Sequence, residues 1–535
     1  MTKFDQYYGP SALFVLFAVC IPGLSRTADE SSFDVAIQKS KSLARVGDFQ
    51  AAEAVLRSAI SQAQDPNGLD AIQLWNEFGH IHESLSQLSA AEQDYTRALR
   101  LNERLAAPNL IELATSLNNL GTLAERLRHF SAAEAYFRRS LTVLDQGGLQ
   151  SSEVAGSVLT NLAMSVQKQG RLGEPLLLYE SGLKLLEKAY GENSPEYAKA
   201  LCNFGLFEFE SGNYAKALAL QKKGHAIEFS LPFIESRDKA FAMNNLGLTL
   251  LETGNIVEAE PLLRSAVTLQ KASGRADLDV ALTLNNLALL EQRTGMLEEA
   301  RRDQTEGLRI AQQTLSPTDP TIAMFSSNLG KIAASQGRMS EAKDLYKRAL
   351  LIWLNTEGKN TNYAATLSNV AEIKANKHHR RQARALFSEV LEIDEKALGS
   401  SHPRVAHDLS NIAVQLYYER KFNQAIPLFQ RAKQIEEKAL GPNNLEVAGM
   451  LRNLGAAYGG SKDYEQAEQA YRKAIEISRT AAKDTAKLMT WLSEYAAILR
   501  LEQKFGEAEQ AYVQANGIRV HNAITATKEQ RGRGI

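Results

Sequence analysis

Apolar residues recur along most of this chain at the spacing of one helix face, and the pattern repeats every 41 or 42 residues. Within each period, two runs of helical spacing are separated by a short turn, which often contains glycine. Each period therefore predicts a pair of helices. The clearest marker of the period is an asparagine that directly precedes a large apolar residue, at Asn119, Asn161, Asn203, Asn245, Asn286, Asn328, Asn369, Asn411 and Asn453.

Small residues occupy fixed places in both predicted helices. In the first helix, Gly or Ala follows the large apolar residue in all eleven units from Gly79 to Ala496. The second helix has one column of Ala, as at Ala217, and another small residue seven positions later, as at Gly224; Pro175 departs from the Ala column. Small residues let helix axes approach closely, while large apolar residues fill the seam. A single pair cannot cover its own apolar face, so the pattern predicts an all-α solenoid of about twelve stacked antiparallel pairs.

These columns resemble the tetratricopeptide repeat. The 42-residue length, the strings at 283–288 and 258–263, and the linker at 399–406 are similar to the kinesin-light-chain variety of that repeat. The resemblance covers residues 33–517 and implies a right-handed superhelix whose first helices line a concave surface that often holds an extended peptide. No heptad-patterned coiled coil precedes the array, so the resemblance does not imply a role with microtubule motors.

The two ends of the chain differ from the array. An apolar run from Ala12 to Ile21 is shorter than the roughly 20 residues that span a bilayer as a helix. Its length is typical of a secretory signal, so residues 1–28 are either a signal peptide or a short hydrophobic segment that stays in place. A signal peptide would make the protein exported, to the periplasm or outside the cell; otherwise we expect it in the cytoplasm. The stretch 518–535 lacks periodicity and predicts a disordered tail.

Charge and motif content argue against several classes of function. Lys and Arg total 61 against 62 Asp and Glu, without the basic stripe typical of nucleic-acid binding. Cys20 and Cys202 form neither a metal-ligand spacing nor a disulfide framework. Neither a phosphate-binding loop nor a nucleophile elbow occurs. His80 and His82 would point apart on a helix, whereas zinc ligation on one helix needs a spacing of four residues. We therefore expect no enzyme, no cofactor, no metal and no nucleic-acid partner.

The asparagine column is the best candidate for a functional surface. Asn is a poorer helix former than Ala by about 0.6 kcal/mol, so nine interior placements forgo about 5 kcal/mol of helix propensity. In the similar repeats this position faces the groove, where an amide could donate to and accept from the backbone of an extended peptide. Alternatively, each amide bonds to a neighbouring helix and fixes the angle between units.

The sequence thus favours a non-enzymatic scaffold or adaptor that binds a protein or peptide in a concave groove. Two other functions stay open. The protein could be a structural or assembly component that uses its convex or terminal surfaces, or a partner subunit that senses a small ligand in the groove. No membrane span is expected beyond the N-terminal segment.

Overall fold

The computed structural model describes residues 32–532, except 46, 63–69, 86, 172, 232–235, 273–277, 377–378 and 482–484. The segment predicted as a signal peptide or hydrophobic N-terminus, 1–28, lies outside the described residues. In the part of the chain that the structure describes, there are 24 α-helices and no strand. The prediction of an all-α fold is confirmed.

The helices form twelve consecutive pairs, in which each first helix packs against the second helix that follows it. The first helices are α1 Ser32–Arg45, α3 Asp70–Ser84, α5 Leu110–Arg126, α7 Glu153–Lys168, α9 Pro195–Glu210, α11 Ser236–Glu252, α13 Leu278–Arg293, α15 Pro320–Ser335, α17 Thr361–Asn376, α19 Pro403–Tyr418, α21 Leu445–Ser461 and α23 Thr485–Leu501. The second helices are α2 Phe49–Gln62, α4 Leu88–Glu103, α6 Phe130–Gln146, α8 Pro175–Tyr190, α10 Tyr214–Ser230, α12 Ile256–Ala272, α14 Leu297–Thr314, α16 Met339–Thr356, α18 Arg380–Leu398, α20 Phe422–Leu440, α22 Tyr464–Ala481 and α24 Phe505–Gly532. Each pair also packs on the next, as a solenoid requires.

The small-residue column of the first helices receives a large side chain from the second helix of the same pair. A Cβ at Gly121 would lie 2.4 Å from the ring of Phe137, and one at Gly455 would lie 2.7 Å from the ring of Tyr471. Both rings are buried. The column therefore keeps its small residues because a side chain of the second helix, often a ring, occupies the space that a larger residue would need.

The linkers between pairs end one helix and cap the next. Gly399 and Gly441 follow α18 and α20 with φ near +85°, a conformation that glycine adopts without strain. Three residues later, the side chains of His402 and Asn444 accept backbone N–H groups at the starts of α19 and α21. The spacing between the glycine and the capping residue fixes where each new first helix begins.

The solenoid coils tightly enough that successive superhelical turns touch. Hydrogen bonds join residues that lie 191 to 193 positions apart, which is between four and five repeats. Each bond links the end of one first helix, or the turn after it, to the start of a first helix in the next superhelical turn. The bonded pairs are Arg128 and Thr321, Glu210 and His402, and Thr253 and Asn444.

The inner face of the middle units is covered. Leu206, Leu248 and Leu289 stand three residues after an asparagine of the column, within about 60° of it around the helix. Their exposed fractions are only 1%, 0% and 8%. They belong to one hydrophobic cluster that extends from α9 to α16, so neighbouring helices occupy the space beside the amides in these units.

The last helix continues to Gly532, so the backbone of 518–532 is helical where the sequence lacks apolar periodicity. No proline interrupts this stretch. Among the described residues, none of the helices combines the length and the apolar character needed to cross a membrane.

Candidate functional site

The structure places the asparagine column between neighbouring first helices. Eight of the nine side chains are at most 9% exposed, and Asn328 is half-buried. The buried members are Asn119, Asn161, Asn203, Asn245, Asn286, Asn369, Asn411 and Asn453. Buried amides need hydrogen-bond partners, and those partners show how each one is used.

In the middle units the amides form a continuous chain across three first helices. Asn328 donates from Nδ2 to Oδ1 of Asn285 at 2.7 Å, and Asn285 donates to Oδ1 of Asn286 at 3.2 Å. Asn286 donates to Oδ1 of Asn244 at 3.0 Å, and Asn244 donates to Asn245 at 3.2 Å. Each bond between helices joins a column asparagine to the residue that stands just before the column asparagine of the previous unit. These amides therefore connect consecutive repeats.

The same connection occurs elsewhere along the array. Asn161 donates to Oδ1 of Asn118 at 3.0 Å, and Asn369 donates to Oγ of Ser327 at 3.4 Å. Buried, directional bonds of this kind restrict the angle between neighbouring units. This geometry favours the bracing role for these members of the column. Peptide contact by the column stays a prediction.

Two members of the column, Asn411 and Asn453, line a cavity on the inner side of α19, α21 and α23. The cavity has a volume of about 30 Å³, enough for one water molecule, and opens to the surroundings. Its lining is His407, Ser410, Asn411, Val414, Leu445, Glu446, Gly449, Met450, Arg452, Asn453, Lys487 and Trp491. These helices belong to the last three units that the structure describes.

Asn411 differs from the bonded amides of the middle units. Within the part of the chain that the structure describes, its side chain has no hydrogen bond. Asn453 accepts a hydrogen bond from Nη1 of Arg452 at 3.2 Å. Arg452 is oriented by Glu494, which accepts its Nε at 2.7 Å. A fixed guanidinium thus holds Asn453, while Asn411 lines the cavity without such a bond among the described residues.

Gly449 leaves space in the wall of this cavity. A Cβ built on it meets no atom within 4 Å, although the residue lies in the interior of α21. Gly in a helix interior costs about 1 kcal/mol relative to Ala, so its presence calls for a reason such as open space for a ligand. Sequence analysis missed this residue. An isolated helix glycine outside the small-residue columns was the signal that could have found it.

His407 on the cavity wall and its neighbour Glu436 on α20 have shifted pKa values. Burial lowers the pKa of His407 to about 4, so its imidazole is neutral at pH 7 and can both donate and accept. Its Nε2 lies 3.6 Å from Oε1 of Glu436 on α20. Burial raises the pKa of Glu436 well above its usual value, because the buried carboxylate is poorly solvated.

His82 of α3 has a structural role. His82 bonds through Nδ1 to Asp94 on α4 at 2.5 Å, and this bond raises the pKa of His82. Among the described residues, no three His, Cys, Asp or Glu side chains are grouped to hold a metal ion.

Comparisons with known proteins agree with the repeated helix pairs. A family profile described as tetratricopeptide repeat matches residues 70–146, 154–227, 238–313, 279–352, 321–396 and 404–480, well over half of the chain. No curated protein matches the chain significantly. Among solved structures, the crystal structure of BtubC (BKLC) from P. vanneervenii is similar at 17% identity and a TM-score of 0.34. That match covers 46% of this chain and 93% of the other.

Proposed function

Because this chain belongs to the tetratricopeptide repeat family, we propose that it is a non-enzymatic scaffold that binds an extended peptide in the inner groove of α19, α21 and α23. The family supports protein–protein interaction in general and gives no sign of catalysis. The location of the binding site and the extended conformation of the ligand are our proposal.

The amide of Asn411 is the observation that carries the proposal. It lines the cavity and lacks a side-chain hydrogen bond among the described residues, in contrast to the bonded amides of α7, α13 and α15. One carboxamide can pair with both the C=O and the N–H of a peptide backbone. Such pairing holds an extended chain without reading its sequence.

Other side chains of the cavity can supply selectivity. Lys487 and Glu446 are half-buried charges of opposite sign, and Trp491 presents a ring that is almost fully buried. Charged groups at the edge of a binding site favour complementary ligand charges, while an aromatic ring offers an apolar contact. We expect these three side chains to select the ligand side chains that flank the paired peptide backbone.

A second function, assembly through a terminal surface, is favoured by exposed apolar side chains on the last described helix pair. Leu501, Phe505, Tyr512 and Val513 are large apolar or aromatic side chains that are each about half exposed or more. In every earlier unit the next helix pair packs against this side. Oligomers that form through this end would be lost in Phe505→Glu, while peptide binding by the groove would persist.

The groove is tested with peptides selected from a random-peptide display library on the immobilised full chain. We expect Asn411→Ala to weaken the selected peptides about tenfold, the value of one hydrogen bond to a buried amide. Fluorescence anisotropy measures the affinity, and differential scanning fluorimetry measures the melting temperature. The melting temperature should not fall, because no hydrogen bond of the described residues is removed.

Gly449→Phe provides the sharper variant, because its Cβ would meet no atom within 4 Å and its ring would occupy the cavity. It should abolish binding and leave the melting temperature unchanged or higher. Gly517→Phe is the matched control, since Gly517 is an exposed glycine of α24 with equally open space. Peptides that bind Gly449→Phe and the natural chain equally well would refute the proposed groove.

A further inference from the structure

His402 performs two tasks at the contact between superhelical turns. Its Nδ1 accepts the backbone N–H of Arg404 at 3.1 Å and so caps α19. Its Nε2 lies 3.0 Å from the backbone oxygen of Glu210, at the end of α9 in the previous superhelical turn. Because a carbonyl oxygen only accepts, Nε2 must carry the proton and Nδ1 must be free of one. The imidazole is therefore neutral in this arrangement.

Asn444 performs the same two tasks one repeat later. Its Oδ1 accepts the backbone N–H of Glu446 at 2.9 Å, which caps α21. Its Nδ2 donates to the backbone oxygen of Thr253, just after α11, at 3.4 Å. We call His402 and Asn444 the turn clamps. An amide keeps its donor and acceptor at every ordinary pH, whereas an imidazole does not.

The surroundings of the His402 clamp are close-packed. A Cβ at Gly212, in the turn after α9, would lie 2.4 Å from Cδ of Pro403 and 3.3 Å from the ring of His402. Helix α10 also packs on α20 across the same contact. This close packing leaves no room for the His402 ring to move while the two superhelical turns are in contact.

We propose that His402 makes this contact acid-sensitive, so that protonation of its imidazole releases the turn clamp and loosens the coil between α9 and α19. The inference concerns the shape of the solenoid and does not depend on the proposed peptide groove.

Protonation cannot be accommodated in the closed contact. An imidazolium donates from both nitrogens, so Nδ1–H would face the Arg404 N–H that it now accepts. The added charge would also stand at the N-terminus of α19, where the helix dipole disfavours cations. The ring must turn out of the cap, and the bond from the same ring to Glu210 is lost with it.

The charged groups around His402 favour its neutral form. On α19, the charge of Arg404 does so most, and His407 does so when it is protonated. The nearby carboxylates are Asp394 on α18, which lies 3.1 Å from Arg404, and Glu210 on α9, which lies 2.7 Å from Lys168. Both nearby carboxylates already have cationic partners, so neither is left to stabilise an imidazolium.

These surroundings fix the pH range of the effect. Burial, followed by the Arg404 charge, lowers the pKa of His402 to about 4, from 6.5. The open state binds the proton first, so the clamp is fully stabilising above about pH 6.5 and weakens as pH falls toward 4. Between about pH 7.5 and pH 5, the closed-to-open ratio should fall about 30-fold.

The full chain is compared at about pH 7.5 and pH 5 by hydrogen exchange, corrected for intrinsic rates, and by solution scattering. In the natural chain we expect faster exchange at Arg404 and at the turn 211–213, together with a larger radius of gyration. In His402→Asn, which copies Asn444 at the equivalent position, both observables should hardly change with pH. This comparison separates His402 from His407, which is present in both chains.

Asn444→His gives a second variant that does not depend on the folding of the first. It should add a second acid-sensitive clamp, with faster exchange at residues 252–254 and around Glu446 at the lower pH. The proposal is overturned if the natural chain and His402→Asn respond alike to acid, or if the natural chain stays closed at about pH 5. It is also overturned if Asn444→His gains no response.

Discussion

At the scale of single residues, the same amino acid has two uses in one column. Asn286 is fully buried and bonded to Asn244 of the previous first helix, whereas Asn411 lines a cavity without a bond of its own among the described residues. The difference arises from what lies beside the inner face. In the middle units it is covered by apolar side chains, and in the last units it is open.

We predict that Asn286→Ala lowers the stability of the protein, while Asn411→Ala does not. Removal of the Asn286 amide leaves Oδ1 of buried Asn244 without its inter-repeat donor, which costs about 1–3 kcal/mol. Urea unfolding followed by circular dichroism measures both variants. Equal stability of the two variants would contradict the bracing role of the amide chain.

At the scale of helices, a side chain of the second helix fits against a small residue of the first, as the ring of Phe137 does at Gly121, and this fit lets the two helices pack closely. Ion pairs on the outer side add contacts between second helices of neighbouring pairs, such as Arg138 to Glu174 at 2.7 Å and Lys222 to Glu258 at 3.1 Å. Exposed ion pairs of this kind contribute roughly 0–1 kcal/mol each. They explain why positive and negative residues nearly balance, but the apolar seam dominates stability.

We predict that Gly121→Val destabilises the pair α5–α6. Its side chain would overlap the buried ring of Phe137, and such overpacking costs about 1–3 kcal/mol. Gly506→Val is the matched control, because a Cβ there meets no atom within 4 Å, and its stability should change by less than about 0.5 kcal/mol. Chemical unfolding of the two variants measures the difference, and a larger loss in the control would argue against the notch.

At the scale of the whole molecule, two kinds of contact hold the coil. Neighbouring pairs share continuous apolar seams, while contacts between superhelical turns in the described residues include a few hydrogen bonds and the packing of α10 on α20. The first kind stabilises each pair, and the second kind sets how tightly the coil is wound. Loss of the second kind should therefore change shape more than helix content.

We predict that a chain ending at residue 398 keeps its helices α1–α18 folded. Circular dichroism should give nearly the same helix signal per residue as the full chain, because each remaining pair retains its neighbours. Hydrogen exchange should increase at the ends of α9 and α11, which lose the turn clamps. A general loss of helix signal would show that stability is shared across the coil as in a single globular core.

The sequence by itself determined the helix pairs and their stacking. The 42-residue period, the columns represented by Gly121 and Ala217, and the linker glycines all act through contacts within a pair or with the next pair. Such contacts are repeated in the sequence, so the pattern reveals them. The pattern also identified Asn411 and Asn453 as candidate site residues, because the asparagine column is visible in the sequence.

Only the tertiary structure decided which amides are covered and where the inner face is open. The winding of the coil accumulates a small rotation at each repeat, so contacts between residues about 192 positions apart follow no local pattern. The role of Glu494 is an example of what local periodicity does not reveal. This residue stands two residues before Ala496, where other repeats carry the column asparagine, and its carboxylate orients Arg452 beside the cavity. Local periodicity defines the repeat, and the sum of many small rotations defines the surfaces that a partner can reach.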